Sequence, residues 1–186
     1  MKRIVIFASG SGSNAENIHH QFANENIEIV AIFCNNEKAG VIERANRLNI
    51  PLHLFNRNDF NNTNIVDQEI LSYHPDLIVL AGFLWKIPER LIALFPNKII
   101  NIHPALLPNY GGKGMYGHFV HDAVINAKET KSGITIHYVN EHYDEGKYIF
   151  QAECEVTSND TPETLADKIH QLEFANFPQI IKKIIQ

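Results

Sequence analysis

Five short apolar runs, at residues 4–8, 27–34, 52–55, 77–82 and 99–102, are rich in Val, Ile, Leu and Phe and keep no strict polar–apolar alternation. Strands with one wet face alternate, whereas strands buried on both faces read as continuous apolar runs and belong to parallel sheets covered by helices. The segments between the runs carry helical spacing at 14–23, 41–48, 61–73 and 88–95. That rhythm, with right-handed crossovers, predicts an α/β fold: a doubly wound, mostly parallel sheet with helices on both faces. After Asn101 the texture changes to a glycine-rich loop (110–117), a helix over 118–127, and strands at 133–139 and 147–156 joined by a turn at 140–146. The turn predicts an antiparallel C-terminal strand. Thr161 as a cap, Pro162 in the first turn, and Leu165, Ile169 and Leu172 at helical spacing predict a closing helix. A chain of 186 residues, 45% hydrophobic, can bury one substantial core, so a single domain over 1–186 is expected.

The formal charge of −5 and pI near 6.0 argue against a general affinity for nucleic acid or anionic membrane, which needs a basic surface. Small-molecule partners are expected instead. The two cysteines, Cys34 and Cys154, form no Cys-x-x-Cys or paired spacing, which suits a reducing compartment. The apolar run after Met1-Lys2-Arg3 is too short for a signal or membrane segment and reads as a buried first strand. A cytoplasmic protein is the expectation.

Three constellations could carry chemistry. Ser9-Gly10-Ser11-Gly12-Ser13-Asn14 follows the first strand and opens the first helix, where free amides and the helix dipole can hold a phosphate. It also fits Gly-x-Gly-x-x-Ala through Gly10, Gly12 and Ala15; a dinucleotide reading then needs an acid after the second strand, where only Glu37 is near. No Gly-x-Ser-x-Gly elbow supports a hydrolase. Asn101 and His103, two apart at the end of the fifth strand, project to one face while Ile102 turns into the core. An amide donor beside an imidazole suits acyl transfer. Asp144 lies in the 140–146 turn, and either it or His137 could face the site. His19-His20, His118 and His121 suggest a metal only by number, with no zinc-site spacing, so no metal is expected.

The glycine segment, the run Val79-Leu80-Ala81-Gly82-Phe83, and above all Asn101-Ile102-His103-Pro104-Ala105-Leu106-Leu107-Pro108 resemble the formyltransferase superfamily, specifically the phosphoribosylglycinamide formyltransferases (glycinamide ribonucleotide transformylases). The likeness runs through nearly the whole chain. Methionyl-tRNA formyltransferases add a C-terminal RNA-binding domain and formyltetrahydrofolate deformylases an N-terminal regulatory one. A chain running from first strand to last helix is expected for the glycinamide branch. The resemblance implies a Rossmann-like formyltransferase domain, monomeric or homodimeric, with a phosphate-binding half (1–100) and a catalytic and folate-binding half (101–186). It implies formyl transfer from 10-formyltetrahydrofolate, as co-substrate, to the amine of 5-phosphoribosylglycinamide in purine biosynthesis.

The residues follow from the same likeness. Amides of Gly12, Ser13 and Asn14 would hold the phosphate, Glu173 the ribose hydroxyls, with His170 assisting. The folate would lie on Phe83, Leu84, Trp85, Lys86, Ile87, Asn101, Asn140, Glu141 and Tyr143, largely through backbone groups. Asn101 and protonated His103 would stabilise the oxyanion, and Asp144 would raise the histidine pKa and relay protons. Leu84-Trp85 stands where many members carry Met-Arg, the loop 111–117 is longer than usual, and Arg57 is the candidate base for the folate tail.

Overall fold

The computed structural model describes residues 1–186. One sheet contains β1 (Lys2–Ala8), β2 (Ile27–Cys34), β3 (Leu52–Leu54), β4 (Leu77–Leu80), β5 (Ile99–His103), β6 (Lys131–Tyr138) and β7 (Tyr148–Glu155), in the order β3-β2-β1-β4-β5-β6-β7. The first five run parallel, and β6 alone is reversed, antiparallel to both β5 and β7. The two C-terminal strands pair antiparallel across the 140–146 turn as expected, β6 being the reversed one.

Continuous apolar strands have the reason the sequence suggested. Along β1, Ile4, Ile6 and Ala8 enter one core, with α1 (Ser13–Gln21), α2 (Val41–Arg47), α6 (His118–Asn126) and α7 (Pro162–Ile185). Val5 and Phe7 enter the other, under α3 (Arg57–Asn62), α4 (Ile65–Ser72) and α5 (Glu89–Leu94). Each residue from Ile4 to Ala8 is thus removed from water, whichever way it points.

The single helix expected over 61–73 is two helices. Asn56 caps the earlier start, its Oδ1 accepting from Asp59 N at 2.9 Å. The break falls at Thr63, whose hydroxyl donates to Asp59 O at 2.9 Å and accepts from Ile65 N at 3.3 Å. A side chain that satisfies the backbone locally competes with the helical ladder. The closing helix begins as expected, with a reciprocal Thr161–Thr164 capping box and Pro162 in its first turn.

The chain leaves β1 for β2 and β3 on one side, then returns to β4 on the other. That reversal opens a crevice above the C-terminal ends of β1 and β4, the usual ligand position in open α/β sheets.

Candidate active site

A cavity of about 430 Å³ occupies this crevice and extends over the end of β5. It collects Gly12, Ser13 and Asn14, then Phe83 and Leu84, then Asn101, His103 and Asp144, and finally His170 and Glu173 from α7. Residues as far apart as Gly10 and Glu173 meet because the ends of β1, β4 and β5, the loops carrying Gly112 and Asp144, and helices α6 and α7 converge there.

At one end, Gly12 caps α1 with φ 77°, and a Cβ on it would meet Val41 at 2.5 Å. Both the backbone angle and the space demand glycine. The amides of Gly12 and Asn14 find no acceptor within the protein, while that of Ser13 reaches Ser11 Oγ only at 3.4 Å. Free amides at a helix start are suited to an anion. The segment after β2 folds onto the same loop: Asn36 donates to Ser9 O at 3.2 Å and Val41 N to Gly10 O at 3.1 Å. Glu37, which a dinucleotide would need here, instead lines a separate cavity with Cys34, Arg57 and Trp85.

Asn14 links this end to α7, donating from Nδ2 to Glu173 Oε2 at 2.8 Å. Glu173 is buried, and burial raises its carboxyl pKa against the opposing pull of Asn14 and His170. Asn14 Oδ1 is buried without a partner. His170 is exposed, one turn before Glu173, and reaches the cavity from the same helix face.

The floor is the catalytic candidate. Asn101 and His103 do project together from β5, with Ile102 in the opposite core. Register sets His137 of β6 opposite Asn101 and Thr135 opposite His103. His137 Nδ1–H donates to Tyr138 O at 2.9 Å, so its Nε2 is free to accept from Asn101 Nδ2 at 3.1 Å. Asp144 Oδ1 lies 3.5 Å from the same amide nitrogen. Two acceptors therefore hold the Asn101 NH2 facing the centre. Thr135 fixes the strand below, donating to Ala105 O at 2.7 Å and accepting from Leu107 N at 3.0 Å and Gln151 Nε2 at 2.9 Å.

Asp144 joins the two flanks of the site. Its Oδ2 accepts from Gly112 N at 2.9 Å and lies 3.6 Å from His103 Nδ1. Gly146 brings the turn down: any Cβ there would collide with Tyr138 O. Burial pushes the Asp144 pKa up, but His137, His103 and the Gly112 amide outweigh it and hold the carboxyl below its ordinary value. Asp144 is accordingly an anion.

His103 departs from expectation. Its pKa lies below the ordinary imidazole value, because burial outweighs the upward pull of Asp144 and of the Tyr110 carbonyl. Asp144 does raise it, yet the net result is a histidine neutral near pH 7 rather than one held protonated. A carbonyl can only accept, so the 2.7 Å contact to Tyr110 O fixes a proton on Nε2. The nitrogen left to exchange a proton is Nδ1, on the Asp144 side.

A smaller crevice of about 60 Å³ opens from the floor between Trp85, Lys86 and Ile87 on one side and Val139, Asn140, His142 and Tyr143 on the other. It shares Phe83, Asn101, Tyr143 and Asp144 with the main cavity. Glu141 is exposed and lines neither cavity, while the neighbouring His142 does. The Trp85 ring packs on Phe55, Phe60 and Phe83, with the Arg57 guanidinium 4.6 Å over it, at the edge of the separate cavity.

A half-buried carboxylate, an imidazole and an oriented amide beside a helix start with free amides are parts that an acyl-type transferase acting on a phosphorylated substrate would use. The formyl transferase family model matches residues 2–181, and the chain belongs to that family. It is 37% identical over 191 residues to a phosphoribosylglycinamide formyltransferase of Bacillus subtilis (strain 168), covering 100% of this chain and 95% of that one. It is 37% identical over 193 residues to a chloroplastic phosphoribosylglycinamide formyltransferase of Arabidopsis thaliana, covering 100% of this chain but 66% of the relative. Among solved structures, the phosphoribosylglycinamide formyltransferase of Anaplasma phagocytophilum superposes with a TM-score of 0.91 at 31% identity, over 100% of this chain and 87% of the other. The glycinamide ribonucleotide transformylase 1 of Geobacillus kaustophilus gives 0.89 at 32%, over 100% of both.

Proposed function

We propose that this chain transfers the formyl group of 10-formyltetrahydrofolate to the amine of 5-phosphoribosylglycinamide, giving formylglycinamide ribonucleotide and tetrahydrofolate. The observation that carries the reading is Asp144 bridging the Gly112 amide and the Asn101, His103 and His137 side chains at the junction of two crevices. One crevice ends in free helix amides suited to a phosphate, the other in a narrow slot between the segments 85–87 and 139–143, suited to a flat heterocycle.

In this reading Gly12, Ser13 and Asn14 bind the phosphate, Glu173 accepts from the ribose hydroxyls with His170 beside it, and the segment 83–87 with Asn140 and Tyr143 holds the pterin, Glu141 lying outside the slot. The amine nitrogen bonds to the formyl carbon, and negative charge grows on the formyl oxygen, toward which Asn101 Nδ2 turns the N–H released from its long 3.5 Å contact with Asp144. That charge adds to the pull of Asp144, so the proton affinity of His103 Nδ1 rises only as the transition state forms. Collapse breaks the bond from the formyl carbon to the folate N10, and the proton lost by the amine passes through the His103–Asp144 pair to N10. Metal is not required by any step. The chain acts as one domain in the cytoplasm, as a monomer or homodimer, on small molecules rather than nucleic acid; no helix is long and apolar enough to cross a membrane.

The test is to incubate the purified protein with both substrates, without metal or ATP, and follow tetrahydrofolate release. Release that depends on the amine is expected. Release without the amine would replace the reading with a deformylase, and a need for ATP with formate-using chemistry. A dinucleotide that binds tightly where folate does not would overturn it altogether.

A further inference from the structure

The roles above leave His121 unused, although it forms part of the cavity wall. It is 5% exposed, on the inner face of α6 with Val120 and Val124. Neither ring nitrogen bonds to the protein, and Nδ1 is sealed from solvent without a partner. Buried polar groups are normally satisfied, and an orphan one costs stability. The ring also borders a groove between α6 and α7, beside His118, Asp122, Glu163 and His170. These side chains are not arranged to hold a metal ion.

We propose that His121 is a further substrate-contacting residue, donating from Nε2–H, the ring nitrogen that is not sealed, to the carbonyl oxygen of the amide that links the ribose to the reacting amine. Position supports this. His121 lines the same cavity as His170, at the ribose end, and His103, at the reaction end, and the amide is the part of the substrate between ribose and amine. Burial first, then His170, His118 and His103, drive its pKa down to about 4 against Asp122. The ring is therefore an uncharged donor at neutral pH, matched to a carbonyl dipole rather than to a phosphate. The assignment rests on the glycinamide reading of the cleft.

Steady-state kinetics of His121→Phe and His121→Gln test it. Losing one neutral hydrogen bond should raise the KM for phosphoribosylglycinamide about three- to tenfold in His121→Phe, with kcat and the KM for the folate changed far less. His121→Gln, which keeps a donor, should recover most of the loss. Ribose 5-phosphate lacks the amide, so its inhibition constant should be the same in wild type and both variants. An unchanged amine KM in His121→Phe would overturn the assignment, as would a parallel rise in the ribose 5-phosphate constant. An inactive wild-type protein would sink the underlying reading instead.

Discussion

At Asp144 the backbone has φ 58°, a left-handed angle that Asp tolerates better than most residues with a Cβ. The angle lets the carboxylate leave the turn toward Gly112 and the histidines. Asp144→Asn preserves this shape and removes the charge. We expect kcat to fall about 10²–10⁴-fold with both KM values nearly constant, and the His103 limb of the pH–rate profile to move to lower pH, since an upward pull on its pKa is gone. His103→Asn should be as damaging, and the double variant little worse than either. A double defect equal to the product of the two would separate the residues into independent actors. The sequence placed Asn101 and His103 on one face because a strand alternates. It could not place Asp144, because an acid in a turn is ordinary and only the β5–β6 register brings that turn over β5. The same register supplies His137 and Thr135, legible afterwards as two polar residues two apart, alternating with Ile134 and Ile136.

At the scale of elements, local chemistry was readable where one residue decides the outcome. The glycine loop and the Thr161 cap are such cases, and both stand where the sequence put them. Gly12→Ala would strain the left-handed cap and press on Val41. It should raise the KM for the phosphorylated amine at least tenfold, a loss of about 1.4 kcal/mol in binding, and leave the folate KM nearly unchanged; equal changes in both would place the phosphate elsewhere. Thr161→Ala should cost about 1 kcal/mol in urea unfolding by removing the cap of the helix that carries Glu173, while kcat at moderate temperature holds. What the sequence hid was competition between local partners. The apolar spacing of 61–73 continues across Thr63, so periodicity alone reads one helix; the break is made by a hydroxyl that bonds Asp59 and Ile65.

The whole molecule stores polar groups inside an α/β core to build its cleft, and this should be visible in its response to acid. His103 and His121 both have pKa values lowered chiefly by burial, His121 to about 4. The unfolded chain binds protons at these rings near the ordinary value of about 6.5, whereas the folded chain resists them. Wherever the unfolded state binds more protons, stability rises with pH. The contribution is therefore fully present above about pH 6.5 and is lost as the pH falls toward about 4, with a slope of up to about 1.4 kcal/mol per pH unit for each fully neutral ring. Asp144, with its pKa lowered, has the same sign but acts only below the ordinary carboxylate range; Glu173, with its pKa raised, opposes both from that range upward. Between pH 6.5 and 5 the difference between wild type and a His121 variant isolates that ring, because Glu173 is common to both. Urea midpoints measured across this window should fall steeply for the wild type and less steeply for His121→Gln, which has no ring to protonate. Equal slopes would mean that His121 already takes up its proton in the folded state near pH 6, and that the cleft wall is open to water rather than closed by the α6–α7 contact.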